Sequence, residues 1–376
     1  MSEVFELTDA FGDTLVPRPG FWSEDILGPG FEAQAIQLLP DEEGEVVATV
    51  VRHVPAKDPL VFEGTPETPV FRTLYIHGWN DYFYQPELAR HIALAGGQFH
   101  ALDLRKYGRS LRPGQTFGWV QNLNEYDEEI SEALELIGDD LPVVMMAHST
   151  GGLTATLYVA HHPGRFAGLW LNSPWLELHP SPLMRYATEQ LVDVVAPRNP
   201  RRVIPTGGNN FFGDSLQGWN VEREGELPEE LLPFADDPSV SGWFPNPVWK
   251  NDTRVSFAGW LAAVSNGHRE IAAGLDIDCP ILCMSAAESF VETEWSAEVR
   301  FRDCVLDVDS LMYRATMIGK DVTLRRFRGV HDLTLSFPNV RQQVWEATHR
   351  WLSAVFPGRA DTMRGVAAVE LPLAPR

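Results

Sequence analysis

Residues 143–152 read Val-Val-Met-Met-Ala-His-Ser-Thr-Gly-Gly, an apolar run that stops at a serine flanked by small residues. A serine hydroxyl does covalent chemistry only when it is lifted clear of its backbone and placed beside a base. A short continuous apolar run marks a parallel strand buried on both faces. A strand that turns sharply into a helix needs small residues where the two backbones approach, which is a nucleophile elbow. Such a turn pushes Ser149 out at the carboxyl end of a sheet and leaves Thr150 opening the helix with its N–H free. That N–H is half of an oxyanion hole. The usual pattern is G-x-S-x-G, and here Ala147 replaces the first glycine. The competing reading is a serine in an ordinary turn before a helix, so other parts of the chain must decide.

Upstream, residues 71–79 form another apolar strand, ending in His77-Gly78-Trp79, and the polar and aromatic turn Asn80 to Tyr84 follows. Downstream, residues 322–328 alternate like a strand, and His331 lies in the glycine-containing loop after it, just before a helical segment over 340–356. Four blocks therefore occur in a fixed order: Leu74 to Trp79, Leu102 to Ser110, Ala147 to Gly152, and Gly329 to Asp332. In that order they resemble the α/β-hydrolase superfamily, in particular the serine hydrolase group of monoacylglycerol lipases, lysophospholipases and S33 serine aminopeptidases. The resemblance covers roughly residues 70–176 and 275–356.

The resemblance implies roles for particular residues. The loop after the first parallel strand of such hydrolases donates the second oxyanion N–H, which assigns that donor to Trp79, beside Thr150. His331 stands where this fold places its general base, the imidazole that takes the serine proton and returns it to the leaving group. Of the eleven histidines, His148, His161 and His162 read as helix-flanking or surface residues, His268 as a cap-edge residue and His349 as part of the last helix. The acid departs from the pattern. After the strand over residues 279–286 the usual aspartate position is occupied by Ser289, which cannot carry the charge that holds an imidazolium. Asp303, followed by Cys304-Val305-Leu306-Asp307, resembles the family's acid block displaced by an insertion over 290–302, and Asp303 is the expected acid, with Glu288 and Asp307 as alternatives.

From residue 71 on strands alternate with helices, the first helix being expected over 77–96, which implies a mostly parallel sheet covered on both faces. The expected organisation is an N-terminal arm over 1–31, a hydrolase core over 32–176 and 253–358, a cap over 177–252 and a tail over 359–376. Residues 32–54 read as a hairpin around the acidic turn Asp41 to Glu45. The cap segment is rich in Pro, Gly, Asn and Trp, and an excursion of that length is usually functional. Phe211, Phe212, Trp219, Trp243 and Phe244 are candidates to line a pocket there, against the reading that each is cap core. The helix over 340–356 carries Val340, Val344, Thr348, Trp351, Leu352 and Val355 on one stripe, which reads as core packing.

Composition sets the remaining bounds. The formal charge is −22, from 30 basic and 52 acidic side chains, which disfavours nucleic acid and anionic membranes as partners. Arg198, Arg201 and Arg202 form a local basic patch that reads as a solvated loop. The start lacks the pattern of a signal peptide and no apolar run approaches a membrane span, so the expected location is the cytoplasm. Cys279, Cys283 and Cys304 are too few for a disulfide framework, and the first two, four apart on a predicted buried strand, read as core residues rather than metal ligands. No zinc spacing, phosphate loop or dinucleotide fingerprint occurs, and the implied chemistry needs neither cofactor nor metal. That chemistry is hydrolysis of a carboxylic ester with an apolar acyl group, through an acyl-enzyme on Ser149. Two alternatives remain: an S33-type aminopeptidase or amidase with Glu177 binding a substrate ammonium, and a non-catalytic binding protein that keeps the fold.

Overall fold

The computed structural model describes residues 17–177, 194–204, 210–251 and 254–357. The tail expected over 359–376 and the first sixteen residues of the arm lie outside them. In chain order the strands are β1 (Ser23–Glu24), β2 (Phe31–Gln37), β3 (Val47–His53), β4 (Phe71–Ile76), β5 (Gly97–Asp103) and β6 (Val143–His148). They continue with β7 (Gly168–Asn172), β8 (Val203–Ile204), β9 (Ser256–Phe257), β10 (Ile281–Ala286) and β11 (Val322–Phe327). The longer helices are α1 (Pro86–Leu94), α2 (Tyr126–Ile137), α3 (Ser149–His161), α4 (Ala258–Ala272), α5 (Val308–Ala315) and α6 (Pro338–Val355).

Nine strands form one sheet in the order β1-β2-β3-β5-β4-β6-β7-β10-β11. The β2–β3 hairpin and the short β1 make an antiparallel edge, and every pairing from β5 to β11 is parallel. This is the α/β sheet that the alternating pattern predicts, with the serine strand β6 at its centre. Because successive side chains of a strand point to opposite faces, β6 feeds two cores at once. Met145 and Ala147 pack with Leu153 and Leu157 of α3, Ile130 of α2 and Val264 of α4. Val144 and Met146 pack with Ile92 of α1 and Val344, Trp345 and Leu352 of α6. Each fully buried side chain of this kind is worth roughly 1.5–3 kcal/mol relative to exposure, and the two layers fix the height at which β6 ends.

One element differs from the sequence reading. A helix is expected from His77, yet α1 begins at Pro86, where proline's missing N–H and fixed φ suit the first turn. Residues 77–85 instead form a loop, with Asn80 at a φ of 54°. That loop carries one of the expected oxyanion donors.

The excursion expected to be the cap leaves the sheet after β7 and returns through β9, which pairs antiparallel with β8. Charged groups fasten it to the core. Arg201 bonds Glu42 and Glu43 of the β2–β3 turn, and Arg341, buried in α6, bonds both Asp237 of the cap and Glu87 of α1. Burial raises the Glu87 carboxyl, but the Arg341 charge, the nearby His91 ring and the bond from Trp345 outweigh this and bring it to about 2. Arg109 joins Asp25 of the arm to Asp103 at the end of β5. Among the described residues no helix is long and apolar enough to cross a membrane.

Candidate active site

β6 delivers Ser149 to the carboxyl end of the sheet, at a φ of 52° that L residues adopt only under constraint. The constraint is close packing behind it. A Cβ on Gly151 would lie 2.2 Å from the His77 carbonyl oxygen, and one on Gly152 would lie 2.5 Å from Pro174 Cβ. The two glycines let α3 start hard against β4 and the turn after β7, and the serine is forced outward. Ala147 sits fully buried on the strand side, so its methyl is accommodated in the core.

The loop after β11 brings His331 to that serine. Its Nε2 is 2.9 Å from Ser149 Oγ and its Nδ1 is 2.8 Å from Asp303 Oδ2. The other oxygen of Asp303 accepts the N–H groups of Val305 and Leu306, each at 2.8 Å, so the carboxylate is fully buried and fully bonded. A carboxylate held by two backbone donors beside an imidazole keeps the ring's proton on Nδ1 and leaves Nε2 free to accept. The neighbouring backbone explains how Asp303 arrives there. Residues 288–290 and 303 bridge as parallel extended chain, with Asp303 N–H on the Glu288 carbonyl and Phe290 N–H on the Asp303 carbonyl. Ser289 braces the turn that follows, donating to Leu306 O at 2.9 Å and accepting from Val308 N–H at 2.9 Å. Glu288 faces Arg302 at the surface, and Asp307 caps the start of α5 by accepting from Ser310 N–H. Neither contacts His331.

Trp79 and Thr150 flank the serine, and neither backbone N–H has a hydrogen-bond partner among the described residues. Gly78 allows the approach: a Cβ there would come within 3.0 Å of Ser149 Cβ. The loop that carries Trp79 is gripped by one cap segment. Asn80 and Asn251 bond reciprocally, Asn80 Nδ2 to Asn251 O at 3.1 Å and Asn251 N–H to Asn80 Oδ1 at 3.2 Å. Lys250 Nζ lies 2.8 Å from Asp81 Oδ1, and Asn246 N–H bonds the Tyr82 hydroxyl at 2.7 Å. Three consecutive residues after Trp79 thus hang on residues 246–251. The sequence reading missed them, because partners about 170 positions apart leave no local signal.

Of the aromatic residues considered for a pocket, Phe212 meets His331 edge-on, with ring centroids 5.4 Å apart. Phe211 packs with Phe290 and Val299, Trp219 with Phe337, and Trp243 donates to Leu335 O, all as cap core or cap seam. Phe244 is exposed.

His148 corrects the expectation of a helix-flanking or surface residue: it is buried behind the site, its ring 4.9 Å from that of His331. The strand it ends is covered on both faces, so every residue of it is buried. Its Nδ1 faces the Asn172 carbonyl at 3.1 Å. Burial lowers its basicity, opposed chiefly by the charge of Asp332. Burial likewise acts to raise Asp332, but His148 and the bonds from Thr334 and Asn172 outweigh it and hold that carboxyl low. His268, expected at the cap edge, is also buried, against Trp175 O. Asp81, His148 and Asp332 each offer one atom within 4.8 Å of the others, a spacing that could hold a metal ion. Lys250 already neutralises Asp81, and Thr334, Asn172 and Gln85 donate to Asp332. The donor set is that of a satisfied polar network rather than of a cation cage. Glu177, the candidate ammonium binder, is engaged by Arg314 of α5.

Comparison with known proteins adds four findings. The family model described as serine aminopeptidase, S33, matches residues 69–242. The chain is 28% identical over 183 residues to a monoacylglycerol lipase of Mycolicibacterium smegmatis, covering 47% of this chain and 59% of the relative. It is 24% identical over 217 residues to a (lyso)-N-acylphosphatidylethanolamine lipase of Bos taurus, covering 54% of this chain and 60% of the relative. The matches thus span about three-fifths of these relatives' lengths. In fold, it is similar to a solved monoglyceride lipase of Saccharomyces cerevisiae, with a TM-score of 0.57 at 16% identity, covering 86% of this chain and 96% of that one.

Proposed function

We propose that this chain, an α/β-hydrolase, cleaves carboxylic esters through an acyl-enzyme on Ser149. The observation that supports this reading best is the continuous line Asp303 Oδ2, His331 Nδ1, His331 Nε2 and Ser149 Oγ, with both links under 3 Å. The similarity to a monoacylglycerol lipase and a (lyso)-N-acylphosphatidylethanolamine lipase supports an ester with an apolar acyl group.

In the proposed mechanism Ser149 Oγ attacks the ester carbonyl while its proton passes to His331 Nε2. The carbonyl oxygen takes up negative charge and is held by the N–H groups of Trp79 and Thr150, each such donor being worth roughly 3–4 kcal/mol in the transition state. Asp303 stabilises the imidazolium. The carbon–oxygen bond to the alcohol breaks, the alcohol leaves with the proton from Nε2, and a water that His331 deprotonates then attacks the acyl-serine. The carboxylic acid is released and Ser149 regains its proton. No step draws on a cofactor.

The aminopeptidase alternative needs a free acidic group beside the serine, and the engagement of Glu177 by Arg314 counts against that candidate. A p-nitrophenyl ester series from acetate to palmitate, run beside matched aminoacyl p-nitroanilides on wild type and Ser149→Ala, tests the proposal. Ester turnover that vanishes in the variant is the expected result. Anilide turnover exceeding ester turnover would overturn it in favour of the peptidase reading.

A further inference from the structure

Five cationic side chains of the cap and its seam meet carboxylates, Arg201 with Glu42, Arg223 with Asp214, Lys250 with Asp81, Arg300 with Glu224 and Arg341 with Asp237, while Arg198 and Arg202, with no carboxylate partner among the described residues, lie exposed to water. Arg254 departs from that pattern. Its guanidinium lies 4.3 Å over the Phe117 ring and gives one hydrogen bond, from Nη2 to the Val248 carbonyl at 2.8 Å. Its Nε is buried with no partner, and no carboxylate among the described residues pairs with it. Burial depresses its basicity, with no acidic neighbour among the described residues to oppose the effect. Leaving a half-buried guanidinium donor unmatched is unfavourable, and an anionic oxygen arriving from solution would relieve it.

The position of Arg254 ties this donor to the serine. Trp175 N–H bonds the Ser149 carbonyl at 2.9 Å. From the Trp175 ring an aromatic file continues to Trp260 at 6.3 Å, Trp79 at 5.9 Å from Trp260, and Phe117 at 6.4 Å from Trp79. Arg254 closes the file. This apolar file, with Trp79 and Trp175 partly exposed and Trp260 and Phe117 buried, starts beside the nucleophile and ends at an unmatched cation, which fits an amphiphile whose far end is negative. With a net charge of −22 the protein's field repels anions at long range, so recognition of one must be local.

Building on the ester hydrolase proposal, we infer that Arg254 binds an anionic group of the substrate, a phosphate or a carboxylate separated from the reacting carbonyl by an apolar segment. An unmatched guanidinium there selects against the neutral glycerides and the amino-terminal ammonium groups that the same fold could otherwise accept. Arg254 acts as a specificity determinant and takes no part in the bond changes.

The test reads binding without turnover, so that its failure and the failure of the hydrolase proposal are distinguishable. Octyl phosphate, octanoate and octanol are titrated calorimetrically, below their aggregation limits, into Ser149→Ala and into Ser149→Ala carrying Arg254→Gln or Arg254→Lys. The expected result is that octyl phosphate or octanoate binds Ser149→Ala at least about tenfold more tightly than octanol, as a charge-assisted bond provides. Arg254→Gln should cut that ratio to about twofold or less, with Arg254→Lys retaining part of it. Whichever anion leads identifies the headgroup. Equal binding of the alcohol and both anions, or a preference that survives Arg254→Gln, would overturn the inference. If the glutamine variant fails to fold, a lysine variant with an unchanged preference for the anion over octanol and for phosphate over octanoate does so equally, since it would show that guanidinium geometry is irrelevant.

Discussion

Asp303→Asn isolates what the buried carboxylate does for His331. The asparagine oxygen can still accept from Val305 and Leu306, whose N–H groups lie 2.8 Å from Oδ1, so the turn keeps its shape. Its amide nitrogen then replaces Oδ2, 2.8 Å from His331 Nδ1. Two donors cannot face each other there. The ring must move its proton to Nε2, the atom 2.9 Å from Ser149 Oγ, and in that tautomer it cannot receive the serine proton. A wrong-tautomer loss of this type is on the order of 10⁴ in kcat, about 5 kcal/mol. Substrate contacts are untouched, so KM should stay within about threefold. Steady-state kinetics on p-nitrophenyl butyrate would measure both, with Glu288→Gln and Asp307→Asn as parallel variants expected to keep wild-type rates. The reasoning is refuted if Asp303→Asn retains more than about a tenth of the wild-type kcat, or if Glu288→Gln loses as much.

Other consequences follow from the same geometry. Asn80→Gly keeps the φ of 54° at no steric cost but removes both bonds to Asn251, freeing the Trp79 loop. Its kcat should fall about 5- to 30-fold, a fraction of one oxyanion donor, with KM nearly constant; a loss confined to KM would place the loop outside the transition state. Burial lowers His100 and His349 to about 3 and His268 to about 4, against an ordinary 6.5. With folded values below unfolded ones, their contribution is complete above pH 6.5 and is lost as pH falls towards 3 to 4. At pH 5 each costs about 2 kcal/mol of stability. Urea midpoints should therefore drop steeply between pH 7 and 5, and a flat profile would contradict the burial of these rings. Arg341→Met strands Glu87 and Asp237 and should cost about 3–5 kcal/mol of stability, measured by thermal melting at neutral pH; a loss below about 1 kcal/mol would mean that the cap is not fastened there.

The sheet was legible because β6, β4 and β10 are continuous apolar runs, which have one structural meaning when helices alternate with them. Ser149 and His331 were legible for a related reason: each sits within a few residues of a strand end, so local pattern fixes its place. Asp303 required counting across an insertion, and the structure brings it to His331 while Ser289 turns to Leu306 and Val308. The start of α1 was misplaced although Pro86 marks it, since what holds residues 80–82 out of a helix is their bonding to residues 246–251, which no local spacing shows. His148 was misplaced because a polar residue at the last position of a strand reads as exposed unless both sheet faces are known to be covered. The contacts of residues 246–251 with 80–82, of Arg341 with Asp237 and Glu87, and the isolation of Arg254 depend on which distant segments meet. No local spacing encodes them.

The proposed function stands on Ser149 as the nucleophile, activated by His331. It is tested most directly by incubating the protein with a p-nitrophenyl alkylphosphonate, counting released p-nitrophenol against protein, and locating the adduct by peptide mass. One equivalent of release and a single adduct on Ser149 are expected, with none in Ser149→Ala and labelling slowed at least about a hundredfold in His331→Ala. No adduct on the wild-type protein, or an adduct on another residue, would contradict it.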